Sequence, residues 1–189
     1  MKQLLILLCI SPLLLVSCMK KDAAGGDAAM KADSTKQKNI ENYKAVLEIF
    51  NSGKYDDLGK YISDNFTDHD PDPGQKPGLA GLKESMGQFH AAFPDLKFTV
   101  KDVTSDGDLI WGHINISGTN TGSMMGMPPT GKKIDVNGVD IVKIKDGKAI
   151  ERWGYYQERL MMEQMGMMPP PGGPPPAGGD MKKGDMKKG

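Results

Sequence analysis

The chain has 189 residues, and its 24 Lys and Arg side chains are balanced by 24 Asp and Glu side chains. This balance argues against nucleic acid as a partner, because proteins that bind a phosphate backbone usually carry a net basic surface. The two cysteines, Cys9 and Cys18, both lie near the start of the chain. Their position excludes a disulfide framework, a cysteine zinc site and an iron–sulfur site for the remainder of the chain.

An apolar run from Leu4 to Val16 follows the positive charge of Lys2. The run is too short to span a bilayer but suits the apolar part of a signal peptide. It leads into Ser17 and Cys18, and this order resembles the lipobox of bacterial lipoproteins. The resemblance implies that residues 1–17 are removed and that Cys18 carries several acyl chains, which anchor a protein stably. We expect an extracytoplasmic protein of the cell envelope, anchored by lipid to a bacterial membrane. An ordinary secretory signal is the alternative.

Two segments of low apolar content flank the central part of the chain. Residues 18–38 are small, polar and charged, which predicts a flexible tether. Residues 167–189 are more than half Pro and Gly and end in two Asp-Met-Lys-Lys-Gly repeats, which predicts a disordered tail. The tail is either simply solvated or makes a weak basic contact with anionic surfaces. The remaining residues, 39–166, are enough for one domain with its own core.

The first half of this domain has the apolar spacing of helices. Pro94 stops one of them, and the Asp- and Pro-rich stretch 68–77 predicts a loop. The predicted elements are helices over 39–52, 55–62, 79–93 and 157–166, with a short strand over 66–69.

The second half is rich in β-branched residues that partly alternate with polar ones. Asp106-Gly107 and Asp146-Gly147 are typical of hairpin turns. Helices followed by antiparallel strands predict an α+β fold, a cone in which the N-terminal helices pack on a curved sheet around a pocket. The predicted strands cover 96–103, 109–119, 133–144 and 149–156.

Short motifs occur in a family order between residues 39 and 166, and together they resemble the SnoaL-like polyketide cyclase (ester cyclase) family, which has the nuclear-transport-factor-2-like cone fold. The motifs are Asp68-His69-Asp70, Gly78 to Lys83, Phe93-Pro94-Asp95, Gly118 to Gly122, Pro128 to Lys132, Asp146-Gly147-Lys148, Glu151-Arg152-Trp153 and Gln164-Met165-Gly166.

The resemblance implies ring closure by intramolecular aldol condensation, with a pocket carboxylate four residues after the tryptophan of the Glu-x-Trp motif as acid and base. In this chain that position, counted from Trp153, is Gln157. An amide does not titrate at neutral pH, but it donates hydrogen bonds to a carbonyl and accepts them. Asn120 is a second departure, because the family often has histidine there.

Three residues are candidates for remaining chemistry, and two of them, His69 and Glu151, have a structural alternative. His69 is flanked by Asp68 and Asp70, which can orient its ring and raise its basicity; otherwise it belongs to loop structure or, with the neighbouring aspartates, to a metal site. Glu151 is the nearest substitute acid or a solvated surface residue. Gln157 is the neutral replacement of the family's acid.

Four residues are candidates for ligand contact: Asn120, Trp153, Phe89 and Trp111. Trp153 is either a core aromatic or a wall of the pocket. Trp111 alternates with isoleucines along its strand, so it lines the pocket or faces solvent and partners, depending on which face packs inward. Methionines such as Met124 and Met161 would supply adaptable apolar surface; copper(I) binding by thioethers is the alternative.

The sequence therefore favours a lipid-anchored domain that binds a small apolar carbonyl compound, with no cofactor, no metal and no nucleic acid. One alternative is an active ester cyclase or isomerase-like enzyme that uses His69 or Glu151. The other is a structural lipoprotein that forms a homodimer through its sheet face.

Overall fold

The structure is a computed structural model that describes residues 23–124, 126–169 and 172. The predicted signal peptide, the predicted lipidation site Cys18 and most of the tail over 167–189 lie outside the described residues. The chain divides into two compact units, Met1–Thr35 and Lys36–Gly189. In the first unit the described residues, from Ala23 onward, are helical.

Helix α1 spans Ala23–Ser52, so it begins well before the predicted start at Asn39. Residues 23–38, which belong to the tether predicted over 18–38, are therefore helical in the structure. Alanine, lysine and methionine in this stretch are strong helix formers. Residues 30–38 are all exposed, so this part of the helix has no apolar stripe that would reveal it in the sequence. Gly53, at φ +68°, ends the helix as predicted.

The other helices are short and lie close to their predicted positions. Helix α2 spans Gly78–Ala92 and helix α3 spans Glu158–Gln164. The predicted helix over 55–62 is a 3₁₀ helix, Tyr55–Lys60. Over the described part of the chain, no helix combines the length and the apolar character that crossing a membrane requires.

Five strands form one sheet in the order β1-β5-β4-β3-β2. Strands β1 and β5 are parallel, and the other neighbouring pairs are antiparallel. The four long predicted strands are confirmed, and β1 is longer than the predicted stretch 66–69. The strands are β1 Ile62–Asp68, β2 Lys97–Asp106, β3 Leu109–Thr119, β4 Lys133–Lys145 and β5 Lys148–Tyr156.

Both predicted hairpins are present. In the β4–β5 hairpin Lys145 pairs with Lys148, so Asp146 and Gly147 alone form the loop. Their φ angles of +51° and +77° are those of a type I′ turn, whose twist matches that of the flanking strands. The β2–β3 hairpin has an equally short loop between Asp106 and Leu109.

The sheet is curved and unclosed, and its two faces differ in burial. The inner face, packed against the helices, carries the fully buried side chains of Ile110 and Ile114 on β3 and of Val136 on β4. The outer face carries Trp111 and His113, which are exposed. The isoleucine set therefore packs inward, and the predicted α+β cone fold is confirmed for residues 36–169.

Candidate functional site

A cavity of about 320 Å³ opens between the inner face of the sheet, α2 and α3. Its size lies within the range of small-molecule sites. The loop after β1 forms one side, and the beginning of α3 forms another. The lining residues are Asp70, Pro71, Asp72, Pro73, Met86, Phe89, Phe98, Ile116, Met124, Val136, Gly154, Tyr156, Gln157, Glu158, Met161 and Met162.

A second cavity of about 60 Å³ lies under α1, between Tyr43, Leu47, Asp140 and Arg152. Its exposed lining is almost entirely apolar, and it is too small for more than a few atoms. The larger cavity is therefore the candidate ligand site.

A buried ionic network stands between the two cavities, and sequence reasoning missed it. The Arg152 guanidinium donates from Nε to Asp140 Oδ1 at 2.9 Å and from Nη1 to Asp68 Oδ2 at 3.0 Å. Both carboxylates are almost fully buried, with 6% and 5% of their side chains exposed. Two carboxylates and one guanidinium leave the cluster with a formal charge of −1.

Two tyrosine hydroxyls complete the network. Tyr156, which lines the large cavity, donates to Asp140 Oδ1 at 2.5 Å and accepts from Arg152 Nη2. Tyr43, on α1, donates to Asp140 Oδ2 at 3.1 Å. Each hydroxyl thus uses its only hydrogen inside the network, so the Tyr156 hydroxyl has none left to donate to a ligand.

Burial raises the pKa of Tyr43 far above its ordinary value, and the negative charge of Asp140 raises it further. Burial also raises the pKa of Tyr156, although the nearby Arg152 opposes this effect. Burial by itself would lower the pKa of Arg152, but Tyr156 and the two carboxylates hold it above its usual range. The tyrosines are neutral and the arginine is charged at every ordinary pH, so none of these three side chains exchanges protons near neutrality.

Gln157 lies at the edge of the large cavity, directly before α3. Its side-chain Oε1 accepts from the backbone N–H of Asn137 at 2.8 Å. Its backbone N–H donates to the Asn137 carbonyl at 3.1 Å. The amide is therefore held in a fixed orientation, and its Nε2 hydrogens can donate to a ligand carbonyl.

The apolar candidates divide between the two faces of the sheet. Phe89 lines the cavity and packs on Phe93, with 5.1 Å between ring centroids. Met124 and Met161 also line the cavity, as the apolar surface predicted for the methionines. Trp111 is on the outer face, away from the cavity lining, so its predicted alternative of facing solvent or a partner holds.

His69, Glu151 and Trp153 meet on the outer face of the sheet and are not among the residues that line the cavity, so their geometry favours the structural alternatives over a pocket role. Residues 152, 154 and 156 of β5 point inward, so residues 151, 153 and 155 point outward. His69 Nε2 lies 3.0 Å from Glu151 Oε2, and Lys143 Nζ lies 3.2 Å from Glu151 Oε1. The hydrogen bond to His69, followed by that to Lys143, lowers the pKa of Glu151.

Asn120 is also outside the cavity lining, and it organises the loop after β3. Its side chain is fully buried. Its Oδ1 accepts from the backbone N–H of Thr130 at 2.8 Å, and its Nδ2 donates to the Gly122 carbonyl at 3.0 Å. Because these bonds occupy its oxygen and its nitrogen, the Asn120 amide has little hydrogen-bonding capacity left for a ligand.

The aspartates around His69 are each held by a protein partner. Asp68 pairs with Arg152, and Asp70 Oδ2 accepts from the Gly154 N–H at 3.1 Å. Asp72 Oδ2 accepts from the Ser85 hydroxyl. Within the described ranges, no group of three or more His, Cys, Asp or Glu side chains is arranged to hold a metal ion.

One signal in the sequence could have revealed the ionic network. Asp140 shares its strand parity with Ile134, Val136 and Val142, which are buried. A carboxylate in an apolar row must be paired or hydrogen-bonded, because an isolated buried charge is costly. Its partner Arg152 has the same inward parity on the neighbouring strand, and the two form this pair.

Comparisons with a family model and with curated proteins point to the same family. The family model described as SnoaL-like polyketide cyclase matches residues 40–165. The nogalonic acid methyl ester cyclase of Streptomyces nogalater is 22% identical over 123 residues, which cover 64% of this chain and 92% of that protein. The aklanonic acid methyl ester cyclase DauD of Streptomyces sp. (strain C5) is 25% identical over 120 residues, 58% of this chain and 70% of that protein.

Among solved structures, TsrD from Streptomyces laurentii superposes with a TM-score of 0.62 at 23% identity. The superposition covers 70% of this chain and 95% of that one. At this identity the similarity concerns the fold.

Proposed function

The chain belongs to the SnoaL-like polyketide cyclase family, and we propose that it is a lipid-anchored, extracytoplasmic member that binds a small, largely apolar carbonyl compound. The observation that carries the proposal is the cavity of about 320 Å³ with its methionine and phenylalanine walls. Met86, Phe89 and Met162 would provide apolar contact, since methionine adapts to irregular ligand shapes. The Gln157 amide would donate to the carbonyl.

Binding without turnover is favoured because a titratable base is missing where the family's acid stands. Gln157 cannot take up a proton, and the hydroxyl of Tyr156 is engaged with Asp140 and Arg152. His69 and Glu151, the other sequence candidates for a base, lie on the outer face of the sheet. The enzyme alternative with either residue as base has no supporting geometry.

Ligand capture from a small-molecule extract tests the proposal. The protein is incubated with the extract, and both retained and converted compounds are identified by mass spectrometry. Met162→Trp, which narrows the cavity, should abolish retention, whereas Leu160→Trp, an exposed position on the same helix, should not. A compound retained unchanged supports the proposal. Conversion that depends on the protein would favour an enzyme, and no retained compound would refute binding.

A homodimer through the outer face is a second proposal, and a specific surface supports it. Trp111, Val139 and Tyr155 are exposed there, with 43%, 37% and 57% of their surface accessible. Trp111 pairs across the sheet with Ile141 and then Trp153, so the apolar residues form a continuous patch. Exposed patches of this kind often mark protein contacts.

Sedimentation at micromolar concentration tests the dimer. Val139→Lys places a charge in the centre of the patch and should give monomers, while Leu160→Lys, on α3, should leave the assembly unchanged. A monomeric wild-type protein under these conditions would refute the dimer.

A further inference from the structure

The charge of the large cavity has one sign. Three carboxylates, those of Asp70, Asp72 and Glu158, are among its lining residues. Of the described residues that line it, none is Lys, Arg or His. Any charged ligand therefore meets only negative protein charges at the cavity wall.

These carboxylates are positioned but not neutralised. Asp70 is fixed by the Gly154 N–H and Asp72 by the Ser85 hydroxyl, and both of these partners are neutral. Each carboxylate has further lone pairs available for hydrogen bonds. Glu158 is the first residue of α3 and is exposed at the cavity edge.

The cation behind the cavity wall is not available to an anionic ligand. Arg152 lies behind Tyr156, and its guanidinium is shared among Asp68, Asp140 and the Tyr156 hydroxyl. Because the network retains a formal charge of −1, it adds to the negative potential instead of offsetting it.

The walls are suited to a cation with apolar substituents. The aromatic rings of Phe89, Phe98 and Tyr156 line the cavity together with four methionines. Aromatic faces attract ammonium groups, and the attraction grows where water is excluded. Carboxylates at the opening and aromatic rings inside are thus complementary to one class of ligand.

We propose that the apolar carbonyl compound bound in this cavity is a lipophilic amine, that is, it also carries a protonated amino group. This inference rests on the proposed ligand-binding function and specifies its charge. The apolar body packs on the methionine and phenylalanine walls, and the ammonium group pairs with Asp70, Asp72 and Glu158. Anions of the same shape are rejected by like-charge repulsion.

Three matched probes test the charge preference by titration calorimetry on the full chain: 2-(2-naphthyl)ethylamine, 3-(2-naphthyl)propionate and neutral 2-ethylnaphthalene. The amine is protonated at pH 7, as alkylamines with a pKa near 10 are. We expect the amine to bind at least about tenfold more tightly than the carboxylate at low salt, a difference that three nearby carboxylates can supply. The preference should shrink at 0.5 M salt, where the screening length is only a few ångströms (about 4 Å).

The double variant Asp72→Asn with Glu158→Gln removes two of the three negative charges. It should abolish most of the preference for the amine over the carboxylate and leave the affinity for the neutral probe unchanged. The control, Asp106→Asn with Asp108→Asn, removes the same charge at the exposed β2–β3 turn and should retain the preference. If the neutral probe binds and the amine has no advantage over the carboxylate, the amine inference is overturned while ligand binding stands. If none of the three probes binds, the amine inference is overturned, and ligand binding is then decided by capture from the extract, because these probes lack the neutral carbonyl that Gln157 would contact.

Discussion

The imidazole ring of His69 is stacked on the indole of Trp153, with 4.4 Å between ring centroids and an angle of 5° between ring planes. The parallel pairing of β1 and β5 produces this contact, because Asp68 is paired with Arg152 and the next residues of both strands lie side by side. The pair lies on the outer face of the sheet, with Glu151 as its hydrogen-bond partner. His69 and Glu151, the two residues that the sequence offered as candidate bases, are therefore separated from the cavity by the sheet.

The first prediction concerns this separation. His69→Ala and Trp153→Ala should change the affinity of the cavity for a naphthyl probe by less than about twofold, because neither residue lines it. Phe89→Ala removes a wall and should weaken binding by about 5- to 30-fold, since an aromatic contact contributes of the order of 1–2 kcal/mol. Titration calorimetry measures all three. A loss with His69→Ala as large as that with Phe89→Ala would contradict the assignment of the cavity.

The second prediction concerns the buried ionic network. Arg152→Met would leave Asp68 and Asp140 buried without their cation, and it should lower the free energy of unfolding by about 3–5 kcal/mol. Arg159→Met is the matched control, because Arg159 forms only an exposed i,i+4 pair with Glu163, and it should cost less than about 1 kcal/mol. Urea unfolding followed by circular dichroism gives both values. Equal effects of the two changes would mean that the network is not a main source of stability.

The third prediction is a loss of stability at alkaline pH. Tyr43 and Tyr156 have raised pKa values in the folded protein, so they stay protonated where tyrosines of the unfolded chain, with a pKa near 10, lose their protons. Their stabilising contribution is complete below pH 10 and is lost as the pH rises above it. Each should steepen the decline of unfolding free energy by about 1.4 kcal/mol per pH unit.

Denaturant unfolding between pH 9 and pH 11 measures this slope. Tyr156→Phe should remove the contribution of one tyrosine, whereas Tyr155→Phe, at an exposed position on the outer face, should leave the slope as in the unaltered protein. Identical slopes for the three proteins would exclude the buried-tyrosine explanation.

The fourth prediction concerns Asn120. Asn120→Ala removes the bonds of a buried side chain to the Thr130 N–H and the Gly122 carbonyl, and leaving these partly buried groups unpaired should cost about 1–3 kcal/mol. Asn65→Ala, at an exposed position on β1, should change stability by less than about 0.5 kcal/mol. Thermal unfolding compares them. Probe affinity should be unchanged by Asn120→Ala, and a selective loss of affinity without loss of stability would instead assign Asn120 to the ligand.

Much of the fold could be predicted because its signals are local. Period-2 alternation located four strands, and the Asp-Gly pairs located two hairpins, since these turns depend on the conformation of only two residues. The start of α1 could not be found this way. Residues 30–38 are exposed and bury no apolar stripe, so apolar periodicity begins only at Ile40.

The candidate site could be predicted only in part, for a physical reason. Gln157, Phe89 and the methionines were placed in the cavity because motif position or apolar character indicated them. The side of the sheet on which His69 and Trp153 lie could not be decided, because alternation along a strand distinguishes two faces without saying which one the helices cover. Asp70, on the loop after β1, lines the cavity, whereas the neighbouring His69 does not.

The sequence by itself determined the family, the α+β architecture, the hairpin positions and the absence of a carboxylate at position 157, because each depends on residue identity or on contacts between near neighbours. Only the tertiary structure decided that Arg152 joins Asp68 and Asp140 beneath the cavity and that Trp111 faces outward. These outcomes depend on which sheet face the helices bury and on pairings between residues far apart in the chain. Burial of the isoleucine face turned Trp111 outward, and the high cost of leaving a buried charge unpaired brought Arg152 to Asp68 and Asp140.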